Sequence, residues 1–262
     1  METVTSADGT IIGYEKEGSG PALIVVDGAM CARGSKAGLA AQLAPHFTVY
    51  RYDRRGRGDS GDTQPYAVER EIEDLMAVIS AAGGTAFLYG HSSGCALVMD
   101  TVLQAAGTAV PKIALYEAPY NDDPDFPGRW QAYLADLARA LADGRRGDAV
   151  AAFMALTGMP AGQIAGMRQQ PFFAGLEAIA PTLAYDHAGL MGGTGAVPVA
   201  KAAHVAVPAL VLYGTASFPF MKETARALAA EMPQGRLRPV HGQAHDVDPA
   251  VLAPVLTGFF AG

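Results

Sequence analysis

Cysteine is almost missing from this chain: Cys31 and Cys95 are the two it carries. Two such thiols, one of them in an apolar stretch that reads as a buried helix, make no disulfide framework, so a reducing, cytoplasmic setting is the expectation. Charge is sparse as well. Asp, Glu, Lys and Arg together supply 17% of the residues, and 26 acids against 19 Lys and Arg give a net charge of −7. With its basic residues scattered, such a surface excludes a nucleic-acid or anionic-membrane partner. No apolar run approaches the ~18 residues of a membrane span. Met1-Glu2-Thr3-Val4-Thr5-Ser6 lacks the basic start and apolar core of a secretory signal, so none is expected. There is no internal repeat, no low-complexity linker, no cluster with metal-ligand spacing and no glycine run in Walker-type lysine context. The expectation is therefore a chain that needs no cofactor or metal and whose partner is a small molecule.

What is present is apolar. Half of the 262 residues are hydrophobic, enough for one large domain or a core with a small insertion. Val4–Ser6 and Ile11–Lys16 flank Asp8-Gly9 and predict a hairpin. Ala22–Val26, Phe47–Tyr52, Ala86–Tyr89, Ile113–Tyr116, Ala209–Tyr213 and Arg236–Val240 predict strands, several of them unbroken apolar runs of the kind buried on both faces of a parallel sheet. Helices are predicted over Tyr66–Ala82, from Cys95 onward, over Lys222–Glu231 and over Pro249–Phe260. This alternation predicts an α/β fold with a mostly parallel central sheet and helices on both faces. Between Asn121 and Val205 the alternation stops, and Trp130–Leu141, Asp148–Thr157 and Ala161–Gln169 read as short helices. The division that follows is a core of residues 1–120 and 206–262 with a helical cap, 121–205, inserted over the site. Met30, Trp130, Met154 and Phe172 are the candidate pocket residues, each weighed against plain core packing.

One stretch concentrates the chemistry. Gly90-His91-Ser92-Ser93-Gly94 lies between a predicted strand and a predicted helix, the setting in which a G-x-S-x-G match has meaning. Two glycines let neighbouring backbone pass close to a tight turn, so the Ser92 hydroxyl projects above the sheet. The Ser93 N–H, opening a helix, points to where an oxyanion would form.

At this point the sequence resembles the α/β-hydrolase fold over nearly its whole length. The matching features are the strand ending Val26-Asp27-Gly28-Ala29, the turn Asp53-Arg54-Arg55-Gly56, the Gly90–Gly94 elbow and the late loop Gly242-Gln243-Ala244-His245. The resemblance implies Ser92 as nucleophile, His245 as its base, and the N–H groups of Ala29 and Ser93 as the oxyanion hole. His241 stands four residues away as a rival base. His91, in the elbow's variable position, reads as structural, and His46, His187 and His204 have no motif around them. Asp27 stands where the family commonly has histidine, and is expected to turn away and tie down its own loop.

The acid is the main departure. Ser217 occupies the place after the seventh strand where most of the family carries Asp. Leu115-Tyr116-Glu117-Ala118 resembles instead the end of the sixth strand in haloalkane dehalogenases, which implies Glu117 as the acid. Asp122 and Asp123 are alternatives, as is a Ser–His dyad with no acid. Those dehalogenases use an aspartate nucleophile, so Ser92 argues against carbon–halogen displacement. The resulting expectation is a cofactor-independent serine hydrolase acting on esters, lactones or thioesters of small apolar compounds. A cofactor-free lyase or perhydrolase with the same Ser–His pair, and a ligand-binding protein on a hydrolase fold, are the alternatives.

Overall fold

Eight strands form one sheet in the computed structural model, which describes residues 1–105 and 109–262. They are β1 (Glu2–Thr5), β2 (Ile11–Gly18), β3 (Ala22–Val26), β4 (Thr48–Tyr52), β5 (Phe87–His91), β6 (Ile113–Tyr116), β7 (Ala209–Gly214) and β8 (Gly235–Val240). Their spatial order is β1-β2-β4-β3-β5-β6-β7-β8. β1 pairs antiparallel with β2 and β2 with β4, and every other pairing is parallel. The expected hairpin is present, with β1 ending at Thr5 because Ser6 and Thr10 already bond across the turn at 2.8 Å.

The pleat sorts the apolar strand residues between two faces. Ile24, Val26, Leu88, Ile113, Leu115 and Val211 point to one side, where α2 (Val68–Ala81), α3 (Gly94–Gln104) and α10 (Pro219–Glu231) cover them. Leu23, Val25, Tyr89, Ala114, Tyr116, Leu210 and Leu212 point to the other, under α1 (Ala37–Leu43) and α11 (Pro249–Ala261). The sheet is therefore buried on both faces, which explains its unbroken apolar strands. The short, alanine-rich α1, with the 3-10 turn Arg33–Lys36 that leads into it, is a helical stretch of this core that the sequence reading did not assign.

Between β6 and β7 the chain runs through α4 (Phe126–Ala142), α5 (Arg146–Leu156), α6 (Ala161–Met167), α7 (Phe173–Ile179) and α8 (Thr182–Ala184). A π-helical turn, Tyr185–Leu190, and α9 (Val199–Ala202) complete the segment. The three helices expected here are present. α7, α8, the π turn and α9 are additional, too short for any period to show.

Candidate active site

Three non-glycine residues among those described have left-handed backbone, Met30 (φ 60°), Ser92 (φ 55°) and Glu117 (φ 54°). All three lie at the C-terminal ends of neighbouring strands β3, β5 and β6. Strain of this kind persists only where the surroundings enforce it. At Ser92 the enforcement is visible: its N–H donates to the Tyr116 carbonyl at 3.0 Å. The elbow also needs bare backbone around it. A Cβ on Gly28 would lie 2.7 Å from Ser92 Cβ, and one on Gly94 would run into the Val26 carbonyl.

Glu117 follows β6 directly and is 1% exposed. Its Oε1 accepts the Gly214 N–H at 2.8 Å, while Oε2 accepts from the Ser217 hydroxyl at 2.5 Å and faces His245 Nδ1 at 3.0 Å. The serine that replaces the family's usual aspartate is thus a hydrogen-bond donor to the carboxylate on the neighbouring strand. Three donors on one buried carboxylate satisfy it without a cationic Lys or Arg.

His245 lies on the loop between β8 and α11, and that loop is held from two sides. The Tyr116 hydroxyl donates to the Ala244 carbonyl at 2.5 Å, and His91 Nε2 donates to the His245 carbonyl at 3.0 Å. His91 therefore supports the loop from below. Its other nitrogen faces Asp27 Oδ1 at 3.3 Å, and Asp27 also accepts the Gly28 N–H at 2.9 Å. Burial would raise the Asp27 carboxyl, yet His91, Lys36 and the Gly28 N–H outweigh it and hold the group below the usual carboxylate range. Asp27 ties down its own loop, as its sequence position led one to expect, and is not part of the cavity lining.

Ser92, His245 and Ala29 line one cavity of about 490 Å³. Its other walls come largely from the segment between β6 and β7 and from the start of α10, with Trp130, Phe153, Met191 and Phe218 as apolar surface. Of the four pocket candidates, Trp130 is in this lining. Phe172 is not: it is 54% exposed at the start of α7, and its neighbour Phe173 takes the buried place at 3%. Met154 is buried in the helix-packing core, because α5 turns its neighbours Phe153, Leu156 and Thr157 to the cavity instead. Met30 packs against the core while Ala29 faces the cavity. Asp122 accepts the Val197 N–H at 2.9 Å, and Asp123 is an exposed residue at the cavity mouth. Neither contacts His245, and His241 is exposed at the end of β8.

Sequence reasoning missed another buried carboxylate at the site. Asp186, in the π-helical turn, is 0% exposed. Its Oδ1 accepts from Ser93 Oγ at 2.7 Å and from Arg54 at 2.6 Å, and its Oδ2 accepts from Arg57. Burial alone would raise this carboxyl, but the two guanidinium groups hold it at about 2. Arg57 also donates to the Gly28 carbonyl at 2.6 Å and Arg54 to the Asp27 carbonyl at 3.3 Å. The Gly28 carbonyl belongs to the same peptide unit as the Ala29 N–H, so Arg57 fixes where that N–H points. One carboxylate thus anchors both backbone segments that face the Ser92 hydroxyl. No local motif announces it, because its partners lie far away in sequence.

Comparison with known proteins bears on the family and the fold. A model described as the Alpha/beta hydrolase family matches residues 31–255, most of the chain. The chain belongs to the alpha/beta hydrolase family. Among solved structures, an alpha/beta hydrolase from Sphaerobacter thermophilus is 48% identical, with a TM-score of 0.87 over 99% of this chain and 100% of that one. The esterase RhEst1 from a Rhodococcus species superposes with a TM-score of 0.74 over 100% and 98% of the two chains, and at 22% identity it shows a shared fold. This hydrolase spans 37% and 53% of the lengths of two curated relatives that it matches. The second is N-formylmaleamate deformylase of Pseudomonas putida, 31% identical over 147 residues, or 53% of either chain. Among the described residues of the hydrolase, no helix is long and apolar enough to cross a membrane.

Proposed function

We propose that this alpha/beta hydrolase is a serine hydrolase that cleaves carboxylic esters, lactones or thioesters of small, largely apolar compounds through an acyl-Ser92 intermediate. The observation that carries the reading is convergence. A strained serine, a histidine and a buried carboxylate on that histidine come together at one apolar cavity. In this reading His245 Nε2 takes the Ser92 proton as Oγ attacks the substrate carbonyl. The positive charge that develops on the imidazole is held through Nδ1–H by Glu117, which is the role an acid plays in such a triad. The oxyanion is received by the N–H groups of Ala29 and Ser93. His245 then returns the proton to the leaving alkoxide or thiolate, and afterwards activates the water that hydrolyses the acyl-enzyme. Residues 121–205 act as a cap that walls the cavity and selects the acyl or alcohol part by size. No step calls for a metal or cofactor.

The test is a fluorophosphonate probe together with a panel of 4-nitrophenyl acyl esters and lactones, with Ser92→Ala as the blank. The expected result is stoichiometric labelling and steady turnover, both lost in Ser92→Ala. Labelling that persists in the variant places the nucleophile elsewhere. A single equivalent of nitrophenol without turnover marks a binding protein rather than an enzyme.

A further inference from the structure

Among the described residues His187 is the buried ionisable group in the cavity lining, and the proposed reaction makes no use of it. It sits in the π-helical turn beside Asp186, is 4% exposed, and lines the same cavity as Ser92 and His245. Three aromatic rings enclose it, those of Trp130, Tyr133 and Phe153, with centroids at 5.4, 5.4 and 5.2 Å.

Its proton arrangement follows from counting donors. Tyr133 Oη lies 2.6 Å from His187 Nδ1. Burial pushes the Tyr133 phenol up, so the hydroxyl keeps its proton, and among the described residues His187 Nδ1 is its one acceptor. Tyr133 therefore donates, Nδ1 accepts, and the ring proton of the neutral imidazole must be on Nε2. Burial, opposed by Asp186 and reinforced by Arg57 and Arg54, lowers the imidazole to about 4, so the ring is neutral at ordinary pH. No protein acceptor meets Nε2 among the described residues, yet that atom is not sealed in the interior. His187 lines the cavity, so the cavity is the space left for that N–H to face. An N–H in an apolar enclosure, fixed by a tautomer lock and lacking a partner, is a polar group placed to orient a ligand.

We infer that His187 Nε2–H donates a hydrogen bond to an uncharged acceptor oxygen of the substrate, an ether, carbonyl or hydroxyl oxygen separate from the scissile carbonyl. The preferred substrates are then compact, aromatic or alicyclic esters or lactones carrying one such oxygen. This inference rests on the serine-hydrolase reading and adds a substrate class to it. A neutral donor among aromatic rings offers a dipole rather than a charge, so a carboxylate is disfavoured at this end of the cavity. Arg129, exposed and over the Phe126 ring at 5.7 Å, supplies a cation at the mouth instead.

Matched pairs of 4-nitrophenyl esters test this, each pair identical except that one acyl CH2 beyond the α carbon is replaced by an ether oxygen. Rates are normalised to hydroxide-catalysed hydrolysis of the same ester. In at least one pair the wild-type protein is expected to favour the oxygen-bearing ester in kcat/KM, and His187→Phe to reduce that preference about tenfold, the scale of a neutral hydrogen bond left unmade. Tyr133→Phe removes the lock but keeps the imidazole, and should give up part of the same preference. Fluorophosphonate labelling of Ser92 shows that each variant is folded. A preference unchanged by His187→Phe across every pair, in protein that labels and turns over, overturns the inference and leaves the serine-hydrolase reading intact. Wild-type protein that neither labels nor turns over removes both. A preference for acyl carboxylates that Arg129→Gln abolishes and His187→Phe does not would move recognition to the cavity mouth and overturn the assignment to His187.

Discussion

The end of β6 and the π-helical turn each bring one fully buried carboxylate to the same site, and they are served in opposite ways. Glu117 is bonded by a backbone N–H and a hydroxyl and faces an imidazole, with neither a guanidinium nor an ammonium among these partners. Asp186 is bonded by two guanidinium groups and a hydroxyl. A carboxylate whose partners are neutral keeps its negative charge free to stabilise a cation that appears later, as a histidine base becomes. A carboxylate already matched by two cations has no such charge to give, and what it provides is rigidity. Partner charge, more than burial or position in the cavity, separates a group suited to the reaction from one suited to holding the frame.

The largest expected effect is at Glu117. Glu117→Gln should lower kcat by up to about 10⁴, the scale seen when a triad acid becomes an amide, with a nearly unchanged urea midpoint. Loss of stability without loss of kcat would reverse the contrast. Asp186→Asn should do the opposite. Removing one partner of a buried ion pair costs about 3–5 kcal/mol, because Arg57 then has no carboxylate among the described residues, and this is read by urea denaturation. In protein kept folded by low temperature, kcat should fall far less than in Glu117→Gln.

A third expectation concerns pH. The folded-state His187 titrates at about 4 against an ordinary value of 6.5, so the unfolded chain takes up this proton first as pH falls. Stability from this group is complete above pH 6.5 and declines as pH drops toward 4, by about 3 kcal/mol for a lowering of this size. The slope of unfolding free energy between pH 7 and 4 should therefore be shallower in His187→Phe than in wild type, and parallel slopes would contradict it. The smallest effect is at Ser217. Ser217→Ala removes one of the neutral donors on Glu117, and kcat should fall no more than about tenfold, since a bond to a charged acceptor contributes about 1.5–3 kcal/mol to both protonation states of the histidine and largely cancels. A loss as large as that of Glu117→Gln would make the serine, rather than the histidine, the acid's main partner.

These two carboxylates also mark how far the sequence could be read. The elbow is legible because its geometry is local: two glycines, a serine, an apolar strand before and a helix after. The strands are legible because a sheet buried on both faces leaves unbroken apolar runs. Glu117 was reached through resemblance, since nothing in Tyr116-Glu117-Ala118 alone tells a triad acid from a buried structural carboxylate. Asp186 and His187 were out of reach, because their surroundings are assembled from Arg54, Arg57, Ser93 and Tyr133, all remote in sequence. Of the pocket candidates in the inserted segment, Trp130 lies in the cavity lining while Met154 and Phe172 do not, for a related reason. Met and Phe there signal burial of some kind, but a shift of one position on a short helix decides whether Phe172 or Phe173 faces inward.

Asp186 also bears on how such a protein could be rebuilt. Because it reaches out of the inserted segment to Arg54 and Arg57 in the turn after β4 and to Ser93 of the elbow, residues 121–205 are not an interchangeable part. A chimera given the corresponding segment of another hydrolase must receive with it a carboxylate at this place, or bury the Arg57 guanidinium without its ion-pair partner. Recombination at this boundary therefore selects donors by one acidic side chain before it selects them by pocket shape.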